Sequence, residues 1–313
     1  MTAANDSIRV PKTAHIHRFS AMNAPVLRVD PGVRLLVQTH DALEGKGPDF
    51  FRNNTPRELV IPHANPATGP IFVNGAKPGD AIEVAVGAIS VEDRGYLTAK
   101  PGRILHGQDR PARFQEFTIS DQEIEFHGHR LPVEPMVGVI GTSPPEGVEA
   151  WTQEAGDHGG NMDAKIIGRG TTLLLPVFVE GGLLAVGDVH AAMGDGEVFG
   201  QGIEVGAEVE VVVSVRAGSD IRRPLAIASG TVATIASHED IRVAQDLVVR
   251  DMGEYLIRTY GLDADEAWTL IALYGDLQFC QVVNPQKTVR MSLQLRHLEM
   301  MLTRPITEGM GVR

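Results

Sequence analysis

Cysteine is nearly absent from this 313-residue chain, and aromatic residues make up only 5% of it. The single cysteine, Cys280, cannot form an internal disulfide, so the fold depends on packing and an oxidising compartment is not indicated. No apolar run approaches the roughly 20 residues that a membrane helix needs, and the N-terminus lacks the order of a secretory signal. We therefore expect a cytoplasmic protein that does not insert into a membrane.

Basic residues are fewer than acidic residues. The chain has 28 Lys and Arg against 40 Asp and Glu, which gives a formal net charge of −12. An acidic chain without a basic run repels phosphate backbones and anionic lipid surfaces, so nucleic acids and membranes are poor candidate partners. A small-molecule substrate is easier to reconcile with this charge.

Glycine and proline, by contrast, are abundant, with 34 and 19 residues. They separate short β-branched runs, a pattern that predicts many tight turns between strands. Two connections have the composition of hairpin turns: NGAKPGD, between strands at 71–73 and 81–86, and Glu180-Gly181-Gly182, between strands at 173–179 and 183–189. The alternation after residue 168 predicts a meander or sandwich core.

The hydrophobic period changes after residue 237. Apolar residues recur every three to four positions from Ile241 to Leu256, which predicts an amphipathic helix that ends at Gly261. A shorter helix follows from Asp263 to Gly275, and DLQFCQVV returns as a strand. We expect a β-rich body over residues 1–220 that carries the site, and an α+β part over 221–313 that packs on it.

The most specific stretch is GDVHAAMGDGE at 187–197. If it begins as a strand, Asp188 and His190 project from one face, where a carboxylate and an imidazole can chelate a divalent ion such as zinc. The glycines that follow let the chain turn and bring Asp195 and Glu197 near that ion. A hairpin end at which Asp188 and His190 satisfy backbone groups fits the spacing equally well.

A second stretch, GDHGGNMD at 156–163, sets paired glycines beside Asn161 and Asp163. Such a segment permits close approach to a ligand and offers amides to an oxyanion. By itself it favours an ordinary turn. His63 lies just upstream of a predicted strand and Asp41 follows one. Functional groups often lie at strand ends, although a lone polar residue there is usually only solvated.

Spacing alone discriminates poorly between candidate sites. His15 and His17, and again His127 and His129, have the same spacing as Asp188 and His190, and we interpret both pairs as surface features. Cys280 lies in an apolar strand without a neighbouring His or Lys, so we expect a buried, inert thiol. The chain has no nucleophile elbow, P-loop, dinucleotide-binding glycine pattern or H-E-x-x-H motif, which disfavours serine hydrolases, nucleotide-dependent enzymes and zincins.

Taken together and in order, six blocks resemble the acetamidase/formamidase family of amide hydrolases. They are TGPIFVNGAKPGD (68–80), PMVGVIGTSP (135–144), GGNMD (159–163), LPVFVEGGLLAVGDVHAAMGDGEV (175–198), GQGIEV (200–205) and GDLQFCQVVNP (275–285). The resemblance spans most of the chain. It implies a mainly β fold with a β-sandwich or jelly-roll-like body and a smaller C-terminal α+β part. It also implies hydrolysis of a short aliphatic amide, similar to formamide or acetamide, to a carboxylate and ammonia.

The resemblance further implies a divalent metal, for which zinc is the first candidate, and we expect a symmetric homo-oligomer. Carried over by position, it gives eight polar residues as site candidates: Asp41, His63, Asn161, Asp163, Asp188, His190, Asp195 and Glu197. Met193 departs from the pattern, because the family has Gln there, and this leaves the identity of the amide open.

We assign the metal to His63, Asp188 and His190, with Asp41 completing or exchanging in its shell. Glu197 is the candidate general base. Asn161 and nearby backbone amides would hold the oxyanion, Asp163 would orient an imidazole, and Asp195 completes the catalytic group. These roles could be permuted among the eight residues. Two other functions remain open: a non-catalytic β-sandwich that binds a small ligand or metal in the same pocket, and a structural homo-oligomer scaffold.

Overall fold

The computed structural model describes residues 7–99 and 113–302, with side chains up to residue 298. Strands dominate the described residues. In chain order they are β1 (Ile8–Val10), β2 (His15–Ile16), β3 (Arg18–Ser20), β4 (Leu27–Val29), β5 (Arg34–Thr39), β6 (Ala67–Val73), β7 (Ala81–Ala99), β8 (Arg113–Ser120), β9 (Glu123–Phe126), β10 (His129–Pro132), β11 (Met136–Gly141), β12 (Glu149–Trp151), β13 (Ala155–Gly156), β14 (Gly159–Asn161), β15 (Thr172–Pro176), β16 (Leu184–His190), β17 (Glu204–Arg216), β18 (Leu225–Ala228), β19 (Thr231–His238), β20 (Asp276–Gln281) and β21 (Lys287–Gln294).

Helices are fewer. They are α1 (Gly47–Arg52), α2 (Arg57–Val60), α3 (Ile241–Tyr260), α4 (Ala264–Tyr274) and α5 (Leu295–Leu302), and a 3-10 turn, Ile61–His63, follows α2. The mainly β fold with a smaller C-terminal α+β part is therefore confirmed. None of these helices is both long enough and apolar enough to cross a membrane.

The strands join into one hydrogen-bonded network of 19, and β3 and β12 form a separate pair. Most of the pairings are antiparallel, and β1 with β5 and β4 with β6 are parallel. The long strand β17 is a central strand of the sheet, because it pairs with β5 along one edge and with β7 along the other. Its side chains alternate between buried and partly buried over most of its length, as expected for a strand with one face on the core.

Neither predicted hairpin forms. The strand β6 pairs with β2, β4 and β16, while β7 pairs with β8, β15 and β17. Likewise β15 and β16 pair with other strands rather than with each other. The turn at Gly181 instead packs against the ring of Phe72, so closely that a Cβ on Gly181 would lie 2.2 Å from that ring. Turn residues mark roughly where these strands end, but they do not determine which partner each strand takes.

The C-terminal helices follow the sequence prediction. The Asp240 side chain accepts from Arg242 N to begin α3, and Gly261 in the left-handed region (φ 68°) ends it. Asp263 and Glu266 form a reciprocal capping box that begins α4. The buried face of α3, which includes Val248, packs over β19 and β21 and forms a second apolar core beside the one inside the sheet.

Three strands, β14, β16 and β17, carry side chains of the candidate site. The strand β16, which carries Asp188 and His190, runs between β11 and both β6 and β17. The strand β14 ends at Asn161 and pairs with β11. Because β17 begins at Glu204 directly opposite His190, polar side chains from separate parts of the chain meet at one end of these strands.

Candidate active site

A cleft of about 430 Å³ opens where these strand ends meet. Five ionisable side chains in its wall are buried, with relative exposures of 1% to 6%: Asp163, Asp188, His190, Glu197 and Glu204. Asn65, Asn161 and Asn284 also line it. Four carboxyl groups and one imidazole shielded from water are a costly arrangement unless their charges are compensated.

The neighbouring strand leaves room for this group only because it carries a glycine. Gly138 of β11 lies between the residue pairs Val137 with Val189 and Val139 with Gly187, so it faces Asp188. A Cβ on Gly138 would lie 2.6 Å from Asp163 Oδ1 and 2.7 Å from the Asp188 carbonyl oxygen. Any side chain at this position would displace the Asp163 carboxylate and the Asp188 backbone.

Several site residues also adopt an unusual backbone conformation. Asn65, Asp163, Asp188 and Glu197 all have positive φ, between 44° and 51°. A left-handed conformation of a non-glycine residue costs on the order of 1 kcal/mol or more, and it persists where the surroundings enforce it. Asn65 helps to enforce it, because its Nδ2 donates to Asp188 Oδ2 at 2.5 Å and to Asn161 Oδ1 at 3.3 Å.

The imidazole of His190 is the centre of the charged group. Its Nε2 lies 3.3 Å from Glu204 Oε2 and 3.7 Å from Asp188 Oδ1. Burial lowers the pKa of His190, but the charges of Glu204 and Asp188 outweigh it and raise this pKa well above its ordinary value. Burial also raises the pKa of Glu204 to about 8, although the charge of His190 opposes the change.

Asp163 and Glu197 form a second interacting pair. Burial raises the pKa of Asp163 well above its ordinary value, and the charge of the neighbouring Glu197 raises it further. The two side chains are also hydrogen-bonded to each other. A carboxyl group and a carboxylate that share a proton can give one proton and accept another, which suits acid–base work.

A divalent cation fits these donors. Asp163, Asp188 and His190 offer ligand atoms that all lie within 4.8 Å of one another. Among the described residues, Asp163 Oδ1 and Asp188 Oδ1 are buried without a hydrogen-bond partner, and no Lys or Arg pairs with either carboxylate. Carboxylate oxygen and imidazole nitrogen together match zinc and several other first-row divalent ions.

The structure does not bring three of the proposed site residues to this group. His63 is half-buried, and its Nδ1 lies 3.2 Å from Glu44 Oε2 and 3.1 Å from Lys46 Nζ. Asp41 Oδ1 instead accepts from the backbone amides of Leu43 and Gly45, both at 2.8 Å. A residue at a strand end is fixed in position, but its side chain turns towards whichever donor or acceptor lies nearest.

Asp195 is the third of these residues. It forms a two-point ion pair with Arg290, with contacts of 2.7 Å and 2.5 Å, and does not line the cleft. Arg290 also contacts Cys280, whose pKa burial raises to about 12. The expectation of a buried thiol is confirmed. Met193 is also buried away from the cleft wall.

Sequence reasoning missed Glu204, Asn65 and Asn284. Glu204 had one available signal, an acidic residue between Ile203 and Val205 at the beginning of an apolar strand. Asn65 and Asn284, whose Nδ2 lies 3.5 Å from Asp163 Oδ2, gave no comparable signal because Asn is common in turns.

The comparisons with known proteins identify the family of this chain. The Acetamidase/Formamidase family profile matches residues 146–273. The crystal structure of a recombinant predicted acetamidase/formamidase from the thermophile Thermoanaerobacter tengcongensis is 38% identical; the match covers 96% of this chain and 99% of that chain, with a TM-score of 0.88. This chain belongs to the acetamidase/formamidase family.

The crystal structure of an acetamidase from Bacillus halodurans is 35% identical. That match covers 94% of this chain and 99% of that chain, with a TM-score of 0.85. A curated acetamidase from Mycolicibacterium smegmatis is 43% identical over 63 residues, 20% of this chain. The match spans only 16% of the length of that curated relative.

Proposed function

We propose that this protein hydrolyses the C–N bond of a short aliphatic amide, similar to formamide or acetamide, to give a carboxylate and ammonia. One observation carries the proposal: a member of the acetamidase/formamidase family buries Asp163, Asp188 and His190 as a compact donor group in the wall of a cleft. The cleft is large enough for a small amide and water.

We further propose that Asp163, Asp188 and His190 hold a divalent cation, with zinc as the first candidate. Such an ion would polarise the amide carbonyl and lower the pKa of water. Glu204 Oε2 lies 3.3 Å from the same His190 nitrogen that faces Asp188, so this carboxylate lies beside the nitrogen that would bind the cation. The cation would also compensate the excess of buried carboxylates.

Within this proposal, Glu197 accepts the proton of the attacking water and passes it to the departing nitrogen. Its burial keeps bulk water from competing for the proton. Asn161 donates one Nδ2 hydrogen to Gln153 O at 3.3 Å, which leaves its second hydrogen for a developing oxyanion. Asn65 orients both Asn161 and Asp188.

Ammonia release tests the proposal directly. Tag-free protein would be assayed with formamide, acetamide and propionamide, first as purified, then after verified metal removal, then after return of zinc or manganese. We expect turnover to disappear on removal and to return with metal, and Asp188→Asn to lose both turnover and the metal held by Asp163, Asp188 and His190. Asp157→Asn is the matched control, because Asp157 lies in the GDHGGN block but is exposed and pairs with Arg223.

Two outcomes would contradict it. Full turnover by verified metal-free protein would exclude the metal-dependent route. Saturable amide binding without turnover across the panel would instead favour the non-catalytic binding protein. We also propose that the protein is cytoplasmic, in line with its single unpaired thiol. We further propose that it forms a homo-oligomer. Light scattering after size-exclusion chromatography measures the number of subunits.

A further inference from the structure

A second group of metal-ligand side chains lies outside the cleft. We call it the His15 cluster, and it consists of His15, His17 and Glu44. Ligand atoms of the three residues all lie within 4.8 Å of one another. His17 Nε2 is 3.0 Å and His15 Nε2 is 3.7 Å from the same oxygen, Glu44 Oε1. The sequence predicted that His15 and His17 are surface features, as His127 and His129 are, but they are half-buried against this carboxylate.

The distances suit a tetrahedral ion. Zinc binds imidazole nitrogen and carboxylate oxygen at roughly 2.0–2.1 Å, which places neighbouring ligand atoms about 3.3 Å apart. The observed separations of 3.0 Å and 3.7 Å bracket that value. Side-chain exposures of 21%, 26% and 14% for His15, His17 and Glu44 leave the cluster shielded but open to an ion from solvent.

The ring of His15 is held in the orientation that ligation requires. His15 Nδ1 lies 2.9 Å from the carbonyl oxygen of Lys12, so it donates its hydrogen there and leaves the Nε2 lone pair towards Glu44. A metal-binding histidine is usually fixed in this way through its other nitrogen. The ring of His40 also contacts that of His15 edge-on, with centroids 5.2 Å apart.

Glu44 is presented by a turn that is itself held in place. Asp41 Oδ1 accepts from the amides of Leu43 and Gly45, and Glu44 has a left-handed φ of 55°. Lys46 and His63 contact Oε2 of Glu44, the oxygen on the other side of the carboxylate. Oε1 therefore faces only the two imidazoles among these neighbours, which is the arrangement of a three-residue metal site.

We propose that His15, His17 and Glu44 bind a first-row divalent cation such as zinc, at a site separate from Asp163, Asp188 and His190. The turn that carries Glu44 also carries Ala42 and Leu43, which line the cleft. An ion here would tie the N-terminal strand β2 to that turn and so fix one wall of the cleft. The site is thus structural, and its existence does not depend on the amidase proposal.

Metal stoichiometry tests the proposal. Tag-free protein would be stripped with chelator, equilibrated with zinc alone, gel-filtered, and analysed for bound zinc per chain. We expect wild type to hold two equivalents and the double variant His15→Gln/His17→Gln to hold one. Asp188→Asn removes the other equivalent, so the failure of one site is distinguishable from the failure of the other.

Two further variants keep the test decisive. Glu44→Gln changes only one oxygen of a partly exposed side chain, so loss of the same equivalent there cannot be attributed to misfolding of a double histidine variant. The matched control is His127→Gln/His129→Gln, which alters an exposed pair with the same spacing and should retain both equivalents. Two equivalents in both the His15/His17 and the Glu44 variants, or a wild type that holds only the equivalent lost in Asp188→Asn, would overturn the proposal.

Discussion

At the scale of single residues, sequence motifs identify several side chains of the cleft but do not show that these side chains lie together. The blocks around Asp163, Asp188 and Glu197 predicted these residues from sequence. Their grouping with Glu204 could not be predicted, because Glu204 belongs to another strand and spacing along a chain does not reveal which strands pair. His63 was predicted just upstream of a strand, but its side chain turns to Glu44, a contact that spacing along the chain does not reveal either.

Gly138 gives a test of this residue-scale packing. In Gly138→Ala the new Cβ would collide with Asp163 Oδ1 and the Asp188 backbone. Because displacement of reacting groups by about 1 Å can cost on the order of 100-fold in rate, we expect a loss of that size in kcat/KM for amide hydrolysis, together with weaker metal binding. Gly194→Ala is the control, since a Cβ there meets nothing within 4 Å. Equal activity of the two variants would show that the close approach at Gly138 is not needed.

The proposed role of Glu197 gives a second residue-scale test. Glu197→Gln keeps the size of the side chain but removes its basicity, so kcat should fall by about 10²- to 10⁴-fold. Bound metal should remain, because Glu197 is not among the three proposed ligands. Steady-state ammonia release and metal analysis on one preparation measure both, with exposed Glu180→Gln as the control. Unchanged kcat would remove Glu197 from the mechanism.

At the scale of secondary-structure elements, local signals predicted the helices far better than the strand pairings. The helix α3 ends at Gly261, whose left-handed backbone conformation stops the helix. The helix α4 begins at Asp263 through reciprocal hydrogen bonds with Glu266. Such signals are contained within the element. The partners of β15 and β16, in contrast, are set by burial across the whole sheet, and turn composition at Gly181 and Gly182 could not supply them.

The capping box of α4 makes an element-scale prediction. Asp263→Ala removes the acceptor of the Glu266 backbone amide, and we expect a loss of about 1 kcal/mol in the free energy of unfolding. Chemical denaturation followed by circular dichroism measures the change. Asp265→Ala, an exposed first-turn substitution without the capping bond, should cost less. A larger loss for Asp265→Ala than for Asp263→Ala would contradict the assigned cap.

At the scale of the whole molecule, the acidic composition is divided between solvated surface and the buried carboxylates of the cleft. Composition predicted a mainly β protein with a large core, and the structure agrees. It could not predict how few of the charges in the cleft are compensated, because compensation depends on three-dimensional neighbours.

The stability of the whole molecule should depend on pH through His158. Burial lowers the pKa of this histidine from 6.5 to about 4. Between pH 6.5 and pH 4 this histidine binds a proton in the unfolded state but not in the folded state. Its contribution to the free energy of unfolding is therefore fully present above pH 6.5 and is lost as the pH falls towards 4. The loss attributable to His158 approaches about 3 kcal/mol.

Urea denaturation from pH 7 to pH 4.5 measures this dependence. His158→Leu places an apolar side chain of similar volume against Phe19. The free energy of unfolding should then fall less at acidic pH than in wild type. His129→Leu, at an exposed site, is the control and should leave the fall as in wild type. An unchanged fall in His158→Leu would show that other groups cause it.

The central claim is that amide hydrolysis takes place at a cation held by Asp163, Asp188 and His190. Its most direct test is anomalous diffraction from crystals of a preparation that releases ammonia from an amide, recorded at the absorption edge of the metal it contains. The account predicts an anomalous peak bonded to these three side chains at the bottom of the cleft. An active preparation with no anomalous peak among these residues would contradict it.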